Sequence, residues 1–309
     1  MIRTRSSIAF CVIVASTASA QASPANDRAA STTSRRSPAT APTGGPADST
    51  LHNGLFGGEW YVSWGYNLES FRPTDIRVRT PSLGSDFVVH GVRGHDEGVL
   101  DTKLLRTAPF KPQYSVRVGR FIDKARTLAV ELNYDHTKFT SAVGQTTRVT
   151  GTIGGLAVDR AMTLDDSTFR YLFHNGLNHA MVNVVKRLPL IGEPNETFSI
   201  AGMAKAGAGV LLPHADNTIL GNTLDIGEKK WGNYFGKHSG WWQLDGWTTA
   251  LEAGLRFVPI APLYIELTHK IAYARMSDVA VHAGTAAHDL WMNETVISLG
   301  TTIHRKRRP

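Results

Sequence analysis

Cysteine is all but missing from the chain: Cys11 is the only one in 309 residues. It falls inside an apolar stretch, residues 8–14, that follows Arg3 and Arg5 and precedes the small-residue sites Ala18-Ser19-Ala20 and Ala20-Gln21-Ala22. A basic start, a short apolar core and a small-residue cleavage site predict a signal peptide over residues 1–22. The mature chain then has no thiol, which excludes disulfides, thiolate metal sites and cysteine nucleophiles together. Long apolar runs are missing too. No stretch approaches the roughly 20 residues that a helix needs to cross a bilayer. A coherent excess of positive charge is also lacking. The formal charge is +7, yet Arg3 and Arg5 lie in the signal segment and Arg305, Lys306, Arg307 and Arg308 in the tail. The body is nearly neutral, which argues against nucleic acid as a partner, since that would need a basic stripe across a folded face.

Residues 23–57 are rich in Ala, Ser, Thr, Pro and Gly and hold few large apolar side chains. They read as a disordered leader, because little apolar surface is available to offset the entropy of ordering. From Trp60 the composition changes. Trp60, Val62, Trp64, Tyr66 and Leu68 alternate with Tyr61, Ser63, Gly65 and Asn67, so that one face of an extended strand is apolar and the other mostly small or polar. The same period recurs around Tyr114–Val118, Leu128–Tyr134, Ala180–Val184, Phe198–Val210, Trp247–Phe257, Leu263–Ile271 and Thr295–Ile303. These eight runs place the domain in the all-β class.

The connections alternate in length. Residues 122–126, 189–196 and 258–262 are short, whereas 71–111, 140–176, 212–240 and 276–290 are long. Short turns at one end and long loops at the other are the pattern of a closed antiparallel transmembrane β-barrel in a Gram-negative outer membrane. The expected organisation is signal peptide 1–22, leader 23–57, barrel 58–304 and basic tail 305–309. Residues 75–79 with 85–92, and 146–153 with 168–173, read as additional strand pairs, so ten to twelve membrane strands stand as the alternative to eight. The polar face carries Arg117, Glu131, Lys205, Glu252, Arg256, Glu266, Lys270 and Glu294, with equal numbers of acids and bases. An eight-stranded barrel is just wide enough for side chains to fill, which predicts a lumen closed by paired charges. Trp60, Trp64, Trp241, Trp242, Trp247 and Trp291 lie in or beside the strands and are expected to form an aromatic girdle.

Asn133-Tyr134-Asp135-His136-Thr137-Lys138-Phe139, followed by Gly144-Gln145-Thr146, Val149-Thr150-Gly151 and His174-Asn175-Gly176-Leu177-Asn178, resembles a family of small bacterial outer-membrane β-barrel proteins of unassigned function. The resemblance covers residues 58–302. It implies the fold and the location, and it brings no catalytic residues with it.

Histidines gather in the long loops with carboxylates close by. His95, Asp96, Asp135, His136 and His174 are the candidate metal ligands, because imidazole and carboxylate on one rim suit a divalent ion. No pair has the spacing of a metal-binding motif, and no cofactor is expected. His238 and Ser239 are the candidate catalytic pair of a lipid-modifying, acyl-hydrolase-like alternative. The leading expectation is an integral outer-membrane barrel with a structural or binding role through its extracellular loops, or a narrow pore if ten to twelve strands close. Its expected partners are outer-membrane lipid and, during biogenesis, the barrel-assembly machinery.

Overall fold

The computed structural model describes residues 59–97, 113–173, 175–194, 196–224, 235–236 and 241–303. The signal peptide, the leader, the basic tail, His174, His238 and Ser239 lie outside them. Twelve strands form the main sheet: β1 (Trp60–Phe71), β2 (Thr74–Thr80), β3 (Ser85–Val92), β4 (Tyr114–Phe121), β5 (Leu128–Thr137), β6 (Thr146–Ile153), β7 (Leu156–Thr163), β8 (Leu177–Ile191), β9 (Ser199–Pro213), β10 (Trp247–Ile260), β11 (Leu263–Val281) and β12 (Gly284–Ile303).

Eight of the twelve close a ring. β1, β4, β5, β8, β9, β10, β11 and β12 pair in that order, each antiparallel to the next, and β12 returns to β1 along a register running from Trp60↔Ile303 to Phe71↔Met292. Closure pairs the backbone polar groups of every ring strand on both sides, which an open sheet cannot do. The remaining four strands extend one wall. β2 joins β12 from Thr285↔Arg79 to Ala287↔Arg77, and β3, β6 and β7 follow in turn. The sheet therefore has twelve strands and the ring has eight, which resolves the expected ambiguity: the additional strands stand beside the barrel mouth and do not widen it.

Two local expectations are corrected. Residues 276–290 are not a long loop, because β11 and β12 continue as one hairpin to Val281↔Gly284. Its single register shift lies between Met276 and Val279, where Asp245 accepts hydrogen bonds from the backbone N–H of Ser277 (3.2 Å) and Asp278 (3.0 Å). A carboxylate thus supplies the partners that the irregular strand lacks. The partner of β6 is β7 and not residues 168–173. Gly154 and Gly155, with φ of 59° and 79°, make the two-residue turn that left-handed backbone favours in a hairpin. Phe169–Arg170 pairs instead with Thr218–Ile219.

On the long-loop side these pieces fold into a cap with its own apolar core. Ile76, Val78, Phe87 and Val89 on the inner face of β2 and β3 pack with Phe139, Phe169, Tyr171 and Phe173, and the cluster runs on into the barrel mouth through Leu177, Met181, Leu211, Ala272, Leu290 and Met292. A second, smaller cluster of Tyr61, Phe121, Ala129, Val185, Met203, Val258 and Tyr264 closes the short-turn end.

Candidate functional site

Between the two apolar clusters the lumen is filled by charge. At the short-turn end the guanidinium of Arg256 lies over the rings of Tyr264 (3.9 Å to the centroid) and Tyr61 (4.7 Å), and that of Arg187 over Phe121 (4.1 Å). Gly119 and Gly300 make this possible, since a Cβ at either position would overlap the ring of Tyr61 or Tyr264 respectively. Above them, Arg256 reaches Glu266 at 2.7 Å and 2.8 Å in a two-pronged contact. Glu266 also accepts from Lys205 at 2.7 Å, and Arg117 binds Glu252 at 2.5 Å. Lys205 lies 3.3 Å from Glu131, which also accepts from the Tyr61 hydroxyl (2.9 Å) and the Asn183 amide (3.0 Å). Arg256, Glu266, Lys205, Glu131, Arg117 and Glu252 thus each pair with at least one other charge inside the ring.

One strand level higher, Lys270 is paired with both Asp135 and Glu294. Glu69 stands directly opposite Glu294 on β1 and receives the amides of Asn67 (2.6 Å) and Gln113. Asp135 is corrected here: the alternation that sends Glu131 and Asn133 inward sends Asp135 inward too, away from the rim where a metal was expected. The eight lumen charges named from the sequence are all buried inside the ring, and Asp135, Glu69 and Arg187 join them.

Of the other metal candidates, His174 lies outside the described residues, and His95, Asp96 and His136 each have separate contacts. His95 Nδ1 lies 2.9 Å from the backbone oxygen of Asp96, whose carboxylate accepts from the Glu69 N–H at 2.8 Å. His136 is hydrogen-bonded to Asn178 (2.7 Å) and stacks on Tyr114 with centroids 4.9 Å apart. Among the described residues, no group of three or more His, Cys, Asp or Glu side chains could hold a metal ion. His288, which sequence reasoning passed over as one loop histidine among several, lies fully inside the cap core against Phe139, Tyr171 and Phe173. Neither of its ring nitrogens has a hydrogen-bond partner, and burial pushes its pKa down to about 3. At the tip of the cap, Thr80, Leu83, Ile153, Leu220, Asn222 and His282 line an open hollow of about 220 Å³, formed where four turns converge.

The outer wall has the opposite polarity to the lumen. Val130, Leu132, Val182, Val184, Leu251, Leu255, Leu267, Ile297 and Leu299 are exposed, and Leu132 and Leu251 keep 61% and 68% of their surface. Trp247, Tyr273 and Trp291 form a row on the outer wall with centroids 5.4 and 5.0 Å apart, and Arg275 and Asp289 pair just beyond it at 3.8 Å. At the other end Arg120 lies over Trp60. Between these limits the outward residues of β12, from Trp291 to Ile303, carry no charge. The twelve steps from Trp291 to Ile303, rising about 3.3 Å each and tilted about 45°, cover about 28 Å along the barrel axis, close to the thickness of an apolar bilayer core. The chain is a membrane-spanning β-barrel of the outer-membrane kind.

Trp60, Trp247 and Trp291 stand at the edges of the belt of this barrel. Trp64 lies within the belt beside Tyr66, and Trp241 and Trp242 are half-buried in the segment leading to β10, Trp241 against His214. No family model and no curated protein matches the chain. Among solved structures it is similar to Neisserial surface protein A (8% identity, 79% of this chain and 98% of that one, TM-score 0.33). It is also similar to the attachment invasion locus protein Ail of Yersinia pestis (14%, 78% and 98%, TM-score 0.26) and to the outer membrane protein OprG of Pseudomonas aeruginosa (11%, 80% and 97%, TM-score 0.35). The assignment of the fold rests on the closed ring and its inverted polarity.

Proposed function

We propose that the barrel has a closed lumen and acts in a structural or binding role through its cap, which we read as extracellular because it stands at the long-loop end. The reading is carried by the filling of the ring at three levels: the Arg–aromatic stack, the ion-pair network and the apolar core of the cap. Side chains of an eight-stranded barrel meet across its axis, and here each level is occupied by side chains packed against or paired with one another. The belt's partner is outer-membrane lipid, and the barrel-assembly machinery is its partner in biogenesis. Binding falls to the cap, where the hollow between Leu83, Ile153, Leu220 and His282 offers an apolar lining with polar groups at its edge. Purified protein in a planar bilayer is expected to show no large stable conductance. A stable open level on the scale of a water-filled barrel would overturn the closed-lumen reading.

A further inference from the structure

The lipid-facing belt is interrupted by a polar patch. His269 on β11 stands directly opposite Thr295 on β12, with Nδ1 of His269 3.2 Å from the Thr295 hydroxyl. Asn293 is the next outward residue on β12, and Ser70 on β1 stands opposite it. All four point away from the lumen; His269, Thr295 and Ser70 are exposed and Asn293 is half-buried. His269 lies four positions below Tyr273 of the aromatic row, about 13 Å along the strand and about 9 Å toward the middle of the bilayer. That depth is inside the hydrocarbon.

Lipid tails offer these groups no hydrogen bond, and a polar group facing hydrocarbon without a partner is costly. The lumen cannot help, because the side chains alternate away from it. The patch needs a surface that presents donors and acceptors at the same depth, and an identical patch does so. The Asn293 amide and the Ser70 and Thr295 hydroxyls each donate and accept, and His269, with Nδ1 engaged by Thr295, has Nε2 left to present. Two copies related by a two-fold axis along the membrane normal bring the same four residues to the same level, and the contact closes on itself. Ala253, opposite His269 on β10, keeps the approach on that side unobstructed. We infer that a second copy of this chain docks in the plane of the membrane on the wall made by β11, β12 and β1, with His269 and Asn293 at its centre. The inference rests on the reading of the chain as a membrane-spanning barrel.

The test uses the full chain, refolded into phosphatidylcholine vesicles with donor or acceptor dyes on its N-terminus and followed as the lipid-to-protein ratio rises. Energy transfer is expected to fall on dilution. The His269→Leu/Asn293→Leu pair is expected to weaken the dimer about tenfold, as loss of hydrogen bonds inside a bilayer should, and Thr295→Val to weaken it in the same direction. Heat-modifiable gel mobility should persist in all variants, since Leu and Val suit a lipid-facing site. A folded barrel with no transfer at any ratio, or with transfer unaffected by the paired replacement, would overturn the dimer and leave the barrel standing. A chain without heat-modifiable mobility would instead overturn the membrane reading and the dimer with it.

Discussion

At the scale of single residues, the lumen depends on Arg117, Lys205 and Lys270 each holding more than one acid. Lys270 serves Asp135 and Glu294 at once, and the carboxylate of Glu69 stands opposite Glu294. Replacing a buried charge leaves its partners without compensation in a medium that solvates them poorly, and such a loss costs about 3–5 kcal/mol. Lys270→Met is therefore expected to lower stability by about that amount in urea unfolding from detergent micelles. An exposed ion pair on the cap such as Arg148–Asp159 should cost far less when broken, because water screens and solvates both groups. A loss for Lys270→Met no larger than for the exposed pair would show that the lumen charges do not depend on one another. The identities of most lumen charges were legible in the sequence because strand alternation assigns each to one face. Asp135 was misplaced because it sits near a strand end, where proximity to loop histidines competed with parity, and parity is what the backbone enforces.

At the scale of elements, the cap is the part whose stability should respond to pH. His288 lies above the aromatic row, enclosed by Phe139, Tyr171 and Phe173, with burial pushing its pKa down to about 3. In an opened cap the imidazole recovers its ordinary value of 6.5. The closed form then binds fewer protons than the open form between these two values. The contribution of His288 to closure is complete above about pH 6.5 and is lost progressively as pH falls toward 3. Hydrogen exchange of the β11–β12 tip and of β2 and β3 should therefore quicken on going from pH 7 to pH 4, after correction for the intrinsic rate. His288→Phe should reduce that dependence. Equal pH dependence in the two proteins would remove His288 as its origin. The cap itself was partly legible. The β2–β3 hairpin announces itself by alternation, whereas the pairing of β6 with β7 depends on a Gly-Gly turn competing with a more distant partner, a choice made by loop closure and not by composition.

At the scale of the whole molecule, the barrel turns the polarity of a soluble protein inside out, and that inversion is open to test. Leu267 lies six positions below Tyr273, near the middle of the belt, and is 53% exposed, whereas Leu83 at the cap tip is 44% exposed. Similar exposure conceals different surroundings. Leu267→Arg is expected to cost about 2–4 kcal/mol, as a charge at the bilayer midplane does. Leu83→Arg should stay within about 0.5 kcal/mol, the ordinary range for a surface change. Both can be read from reversible unfolding in vesicles, and equal effects would contradict the membrane placement. The sequence by itself determined the class of fold, the eight alternating runs that form the ring and most of the charges that face the lumen, because a period of two and a sequence of turn lengths are local properties of the chain. Only the tertiary structure decided that the four further strands stand beside the ring, that Asp135 joins Lys270 and Glu294, and that His288 is walled in by aromatics. Those outcomes depend on which distant segments meet across the barrel and its cap, and strand alternation tells a residue which way to point without telling it what it will find there.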